Sequence, residues 1–430
     1  MVEEPSSEAG AEPSAADLVG REAARAAASA VDPEQVVEIV RALIAAPSEN
    51  PGGDERAAAA VARAFLDDIG IPSEVIEGRE GRPNVVATIG EGRPKLAWNG
   101  HLDVVPAGEE SGWLHPPWAG VVEDGMLWGR GAADMKGPIA SALAAVAAIR
   151  RADVATAGAL ELHLVADEEH RGIHGTRVLL EAGRLDADAC IVGEPSGMEL
   201  GLAARGGAFF RAIARGRAAH GSTPHLGVNA IEAMSRFVLA LPDALPDLRH
   251  PLLGSPTVNA AMIRGGRAPN VVPDECTLTI DRRTLPGETL EDVRAPFERL
   301  LERLGHEFTD FDLRLEFPEL TQAAEIPADA PIAAVVRAAA REERGREPPD
   351  IGFTGITDAR FYVNDANTPA VVFGPGDLRV AHTSNERVPV DDLVVAARVY
   401  ARSFVGFLGT SPAAGEPSRG RWKAPIQGIL

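Results

Sequence analysis

The sequence predicts an α/β fold: a largely parallel sheet flanked by helices, interrupted by a smaller ferredoxin-like α+β domain. Three observations lead there. Helix and strand patterns alternate through the first half of the 430 residues, as expected of a layered α/β domain. From about residue 205 to 320 the order becomes β-α-β-β-α-β, which is the ferredoxin-like arrangement. Five candidate metal ligands, His101, Asp134, Glu169, Glu194 and His382, each follow a short apolar run or its flank. Open α/β sheets bind ligands outside the carboxyl ends of their strands.

The elements follow in order. Residues 1–15 are rich in Glu, Ser, Pro and Ala and predict disorder. An alanine-rich helix extends to about residue 28, and a second runs over 33–45. Ser48-Glu49-Asn50-Pro51-Gly52-Gly53 is a loop by its turn chemistry. A helix over 55–69 and strands over 84–88 and 95–98 follow. The next helix, 138–151, opens on a proline, which the first turn tolerates. Apolar strands at 160–165 and 190–192 complete the first part. The insert reads as strand 208–215, helix 229–241, strands 257–263 and 275–284, helix 290–304 and strand 311–317. Helix 331–344 and strand 370–373 resume the α/β pattern. The expected division is a flexible or helical segment (1–30), an α/β domain in two parts (31–204 and 321–410), the insert (205–320) and a loose tail (411–430).

Composition is that of a soluble globular protein, 45% hydrophobic and 24% charged. A net charge of −21 argues against nucleic acid or an anionic membrane as partner. An anionic substrate must therefore be met by local arginines. Cys190 and Cys276 fall inside predicted strands, which suits reduced, buried thiols. The acidic opening Met1-Val2-Glu3-Glu4-Pro5 lacks a signal-peptide pattern, and no apolar run reaches the roughly 20 residues that span a bilayer. Cytoplasmic residence is the expectation.

Chemistry concentrates in a few segments. Carboxylate with imidazole suits zinc, manganese or cobalt. Three carboxylates and two histidines suffice for two ions if one carboxylate bridges. In His101-Leu102-Asp103, alternation puts both side chains on one face, where the acid can support the imidazole. Glycines flank Asp134 in Gly129-Arg130-Gly131-Ala132-Ala133-Asp134-Met135-Lys136-Gly137, so the backbone can crowd a ligand. Asp167-Glu168-Glu169 places three acids in a row, which repel unless cations compensate; one Glu can bind and its neighbour act as general base. Each segment alone also fits a structural role: a strand-end polar pair, a capping Asp, a solvated acidic loop. His163 reads as a packed strand residue, and His170 and His174 as loop residues.

Together these segments resemble the metallopeptidase family of acetylornithine deacetylase, succinyl-diaminopimelate desuccinylase, aminoacylase and the glutamate carboxypeptidases. The resemblance runs from about residue 46 to 389. It is carried also by Ala46-Pro47-Ser48-Glu49-Asn50-Pro51, Gly193-Glu194-Pro195, Ala219-His220-Gly221-Ser222-Thr223-Pro224, Asn270-Val271-Val272-Pro273, Asp281-Arg282-Arg283, Thr357-Asp358-Ala359-Arg360 and Gly374-Pro375-Gly376. It implies two divalent metal ions, zinc first, with manganese or cobalt as alternatives. Asp134 would bridge them, with His101 and Glu194 on one ion and Glu169 and His382 on the other. Glu168 would be the general base and Asp103 the support of His101. The α/β domain becomes the catalytic domain, and the insert becomes a dimerisation or lid domain. His220 would reach an active site, often the partner subunit's, to stabilise the oxyanion. Asn270 and Arg283 would meet the substrate, Arg283 as a carboxylate clamp. The resemblance also implies a cis peptide after Asp134.

The implied activity is hydrolysis of a C–N bond, most often an amide, in a small carboxylate-bearing substrate such as an N-acyl amino acid or dipeptide. Hydrolysis of a non-peptidic C–N bond, such as deamination of an aromatic amine, is the alternative on the same scaffold. A catalytically idle binding protein would be expected to lose ligands or base, and a dinuclear phosphoesterase would not call for the lid motifs. A local departure is Glu169-His170-Arg171-Gly172-Ile173-His174-Gly175, where many members of the family carry smaller residues; it bears on substrate preference.

Overall fold

The computed structural model describes residues 15–308, 312–317 and 319–410. The expectations of a disordered start and a loose tail fall outside them.

A nine-stranded sheet forms the centre of the molecule. Its middle four strands, Ala159–Val165, Lys95–His101, Ala189–Val192 and Ala370–Val372, are mutually parallel. Their residues are almost all buried, because helices cover both faces of a parallel sheet. Antiparallel strands lie outside them. Ser73–Arg79 and Arg82–Ile89 extend one side. Leu200–Ala204 extends the other, pairing with Ala324–Glu325 and, in parallel, with Asp350–Phe353.

The helix Lys136–Arg151 is buried from Lys136 to Ile149. Its alanines let it pack closely against Val390–Leu408 and Pro33–Ile44. Asp32 caps Pro33–Ile44, accepting from the N–H groups of Glu34 and Gln35.

The insert is a separate four-stranded antiparallel sheet in the order Thr257–Gly265, Glu275–Thr284, Gly206–Arg215, Asp312–Glu316. This is the ferredoxin-like order. Burial alternates along Glu275–Thr284, so one face packs and the other does not. The helices Ala230–Ala240 and Leu290–Glu307 supply Phe237, Phe297 and Leu300 to a core shared with Phe210. Asn229 caps the first, and a Thr289–Asp292 capping box starts the second.

Two expectations need correction. The apolar run before Asp134, Met126–Trp128, belongs to a small three-stranded sheet with Val121–Glu123 and Arg387–Pro389, not to the central sheet. Asp134 and His382 therefore sit on long turns rather than at strand ends. The helix Val390–Leu408 also stands beyond the elements read from sequence. It is buried on most sides and lacks a single apolar stripe, although Asp391 and Asp392 in its first turn and Gly409 after its end mark its limits.

Candidate metal centre

His101 is the last residue of a central strand and is 1% exposed. Its Nδ1 lies 2.8 Å from the carbonyl oxygen of Asp103, so that nitrogen donates. The tautomer this fixes leaves a lone pair on Nε2, as a metal ligand requires. Nε2 faces Asp134 Oδ1 at 3.0 Å and Glu194 Oε1 at 4.0 Å. On the other side, His382 Nε2 lies 3.3 Å from Asp134 Oδ2 and 3.1 Å from Glu169 Oε2. Asp134 thus offers one oxygen to each histidine. Ligand atoms of His101, Asp134 and Glu169 lie within 4.8 Å of one another, as do those of His101, Glu168 and Glu194. All five proposed ligands and Glu168 converge.

Two buried acids hold the turns that carry these groups. Glu386 accepts from the N–H groups of Gly131, Ala133 and Asp134 at 2.9–3.1 Å and from Arg130 at 2.6 Å. The Asp134–Met135 peptide that follows is cis. Asp103 supports His101 through its backbone carbonyl, while its carboxylate lies 3.6 Å from Nδ1. The carboxylate instead accepts from the N–H groups of Glu168 and Glu169, both at 3.1 Å, and from Asn50 at 2.9 Å. Asp103 therefore bears on base and ligand together. Asn50 also donates to Asp167 at 3.2 Å and accepts from Arg82 at 3.1 Å. Sequence reasoning assigned no role to Asn50 or Glu386, although Asn50 lies in a segment that carries the family resemblance. Asp167, Arg171 and His382 hold left-handed backbones with φ of 66°, 81° and 60°. Such conformations are costly for these residues and cluster at functional sites.

The electrostatics are those of a place built for positive charge. Burial pushes Glu168 well above the usual carboxylate range, and the charge of Glu194 adds to it. Burial and the charge of Asp134 do the same to Glu194. Burial pulls Asp134 upward too, but hydrogen bonds to His101 and His382 win and hold it below its usual value. Those contacts in turn raise His382 to about 11, through Asp134 first and Glu169 second. Four carboxylates and two imidazoles in this space match the donor set of borderline divalent ions.

The cleft over these groups is lined also by Arg171, Phe209, Arg283, Phe353 and Leu378. Arg283 arrives from the insert, with its guanidinium on Asp281 at 2.8 and 3.1 Å and over the ring of Phe209 at 5.4 Å. His220 and Asn270 do not line it. They sit together elsewhere on the insert: the N–H of Gly221 donates to the Asn270 carbonyl at 2.8 Å, and His220 pairs with Val271. His220 is exposed, its Nδ1 2.7 Å from Ser222 Oγ.

Residues 97–405 match peptidase family M20/M25/M40. The chain is 35% identical over 354 residues to an acetylornithine deacetylase of Myxococcus xanthus, covering 80% of this chain and 87% of that one. It is 34% identical over 334 residues to a succinyl-diaminopimelate desuccinylase of Paracoccus denitrificans, covering 75% and 86%. Human carnosine dipeptidase 1 shares the fold, with a TM-score of 0.74 at 17% identity over 93% of this chain and 100% of that one. The chain belongs to peptidase family M20/M25/M40 and is a hydrolase of C–N amide bonds in small molecules.

Proposed function

We propose that this enzyme hydrolyses the amide of a small, carboxylate-bearing N-acyl amino acid or dipeptide with two divalent ions. The observation that carries the reading is Asp134, whose two oxygens face His101 and His382 separately. His101, Asp134 and Glu194 would hold one ion, and Asp134, Glu169 and His382 the other. Zinc is the first choice, with manganese or cobalt as alternatives, because the donors are imidazole and carboxylate without thiolate. When bound, the ions supply Lewis acidity and lower the pKa of water toward neutrality.

The chain's own residues do the rest. Glu168 takes the proton of the attacking water and returns it to the departing amine. Asp103 fixes the turn of Glu168 and Glu169 through their N–H groups. Arg283 binds the substrate carboxylate, its planar fork matching that group. The relatives' names, a deacetylase and a desuccinylase, favour an acyl amide over a peptide.

In this reading 31–204 and 321–410 form the catalytic domain, and 205–320 is the dimerisation or lid domain of a homodimer. His220 and Asn270 lie beside each other on the insert, away from their own cleft, which suits residues that serve the partner's cleft. Cytoplasmic residence belongs to the same reading, supported by two buried cysteines without a disulfide. No described helix is long and apolar enough to cross a membrane.

The experiment is a side-by-side panel of N-acyl amino acids, dipeptides and aryl amines, each assayed with zinc, manganese and cobalt. Amide turnover abolished by a chelator supports the reading. Turnover of aryl amines alone would transfer it to the non-peptidic alternative, and turnover of phosphoesters alone would sink it.

A further inference from the structure

Arg171 follows Glu169 by two residues. Its side chain lines the cleft beside Glu168 and Glu169. Its backbone is left-handed, with φ of 81°. The next residue, Gly172, also has positive φ, and there glycine is demanded, since a Cβ would lie 2.8 Å from Asp358 Oδ1. At 171 the chain keeps a large side chain in a conformation that glycine would adopt without strain. The surroundings enforce it. The N–H of Arg171 donates to the Glu168 carbonyl at 2.9 Å, and Arg360 donates to the Arg171 carbonyl at 2.8 Å. Arg360 is itself buried, with its guanidinium 4.2 Å over the ring of Phe361.

The Arg171 head group pairs with Glu319 at 2.6 Å, and that glutamate side chain is 72% exposed. An exposed pair of this kind contributes little and exchanges readily. Among the described residues that line the cleft, the guanidiniums are Arg171 and Arg283. In the proposed function the acids of the cleft would hold the ions. Arg283 keeps one edge of its guanidinium on Asp281 and Arg171 meets only exposed Glu319, so both can still take an anionic group of the substrate. Phe209, Phe353, Ile356 and Leu378 supply apolar wall for the carbon chain.

We propose that Arg171 binds a second carboxylate of the substrate, besides the one assigned to Arg283, and so makes the enzyme selective for diacids. The inference rests on the proposed amide hydrolysis at this site and adds the substrate class. The second carboxylate can come from the acyl group or from the amino-acid side chain.

Substrate pairs that differ by one carboxylate separate the two sources. N-succinyl against N-acetyl derivatives of one amino acid test the acyl side; N-acetylglutamate against N-acetylglutamine tests the side chain. In zinc-loaded, full-length enzyme, Arg171→Gln should cut the diacid-to-monoacid ratio of kcat/KM at least tenfold in one pair, chiefly through KM. Arg171→Lys should recover part of it, and Glu319→Gln, which removes the competing carboxylate, should raise it. Ratios unchanged in both pairs overturn the proposal. Calorimetric binding of glutarate against butyrate reads the same contact without turnover. Glutarate should bind at least tenfold tighter, and Arg171→Gln should abolish the difference. If that holds while no amide is cut, the proposed function fails and Arg171 keeps its role. If amides are cut but neither the ratios nor the glutarate advantage depends on Arg171, this inference alone is wrong.

Discussion

Glu168 and Glu169 are chain neighbours with different surroundings. Glu169 meets His382 at 3.1 Å, whereas Glu168 falls in a cluster with His101 and Glu194. Glu168 is thus within reach of an ion as well as of a water, and metal content decides between ligand and base. Glu168→Ala should lower turnover by on the order of 10²–10⁴ with metal content nearly intact, while Glu169→Ala should lose metal. Elemental analysis of both purified variants checks this; equal loss in both would mean the roles are misassigned. A second residue sets a pH dependence. Glu55 is fully buried and one of its oxygens has no partner, although the other meets Arg82 at 2.7 Å. Burial, with the charge of Asp103, raises it to about 7 from an ordinary 4.5. The folded state then binds more protons than the unfolded state between those values, so this group's contribution to stability falls as pH rises from about 4.5 to 7. The span is worth about 3 kcal/mol at most. Urea unfolding of Glu55→Gln across that range should show a flatter profile than the parent; an identical profile would refute the assignment.

At the scale of elements, the site depends on turns held by side chains far away in sequence. The Gly129–Asp134 turn has three of its N–H groups on Glu386, some 250 residues later. Glu386 also neutralises buried Arg130. Glu386→Ala strands that charge and those donors together. Breaking a buried pair from one side typically costs about 3–5 kcal/mol. We expect a loss of that size in denaturant unfolding, together with weaker metal binding, since Asp134 loses its anchor. A variant of parental stability would show that the turn holds itself. The helix Val390–Leu408 follows Glu386 and backs the same region: Tyr400 donates its hydroxyl to the Phe373 carbonyl at 2.7 Å. The segment between them carries His382, so the helix fixes both ends of that ligand's loop.

For the whole molecule, the decisive feature is that His220 and Asn270 do not line the cleft of their own chain. In a two-fold dimer the interface uses the same surface on both copies, and each insert can serve the other's site. The edge strand Thr257–Gly265 exposes Met262 and Ile263, an unpaired edge that a second copy can cover. Mixing inactive His220→Ala subunits with inactive Glu168→Ala subunits should restore part of the activity, because one site of the heterodimer keeps both residues. No recovery after demonstrated subunit exchange would place His220 in its own subunit's chemistry or outside catalysis.

By itself the sequence carried the α/β alternation and the ferredoxin-like insert, and the family resemblance singled out His101, Asp134, Glu169, Glu194, His382 and Glu168 as candidates. The elements were legible because they rest on local signals, apolar runs that must be buried and Gly and Pro at turns, whereas the candidate site residues stood out only when the motifs were taken together. The tertiary structure alone decided which residues hold those groups in place. Glu386 and the carboxylate of Asp103 act on backbone groups as much as 255 residues away, and Asn50 joins Asp103 to Asp167 and Arg82 through side chains. The N–H groups that meet Glu386 and Asp103 are carried by every residue except proline, so no residue type announces those contacts. The same holds for Arg171: only the fold turns its side chain into the cleft and supplies Arg360 to hold its backbone carbonyl. Local pattern fixes what a segment must bury, while long-range closure decides what each buried polar group meets.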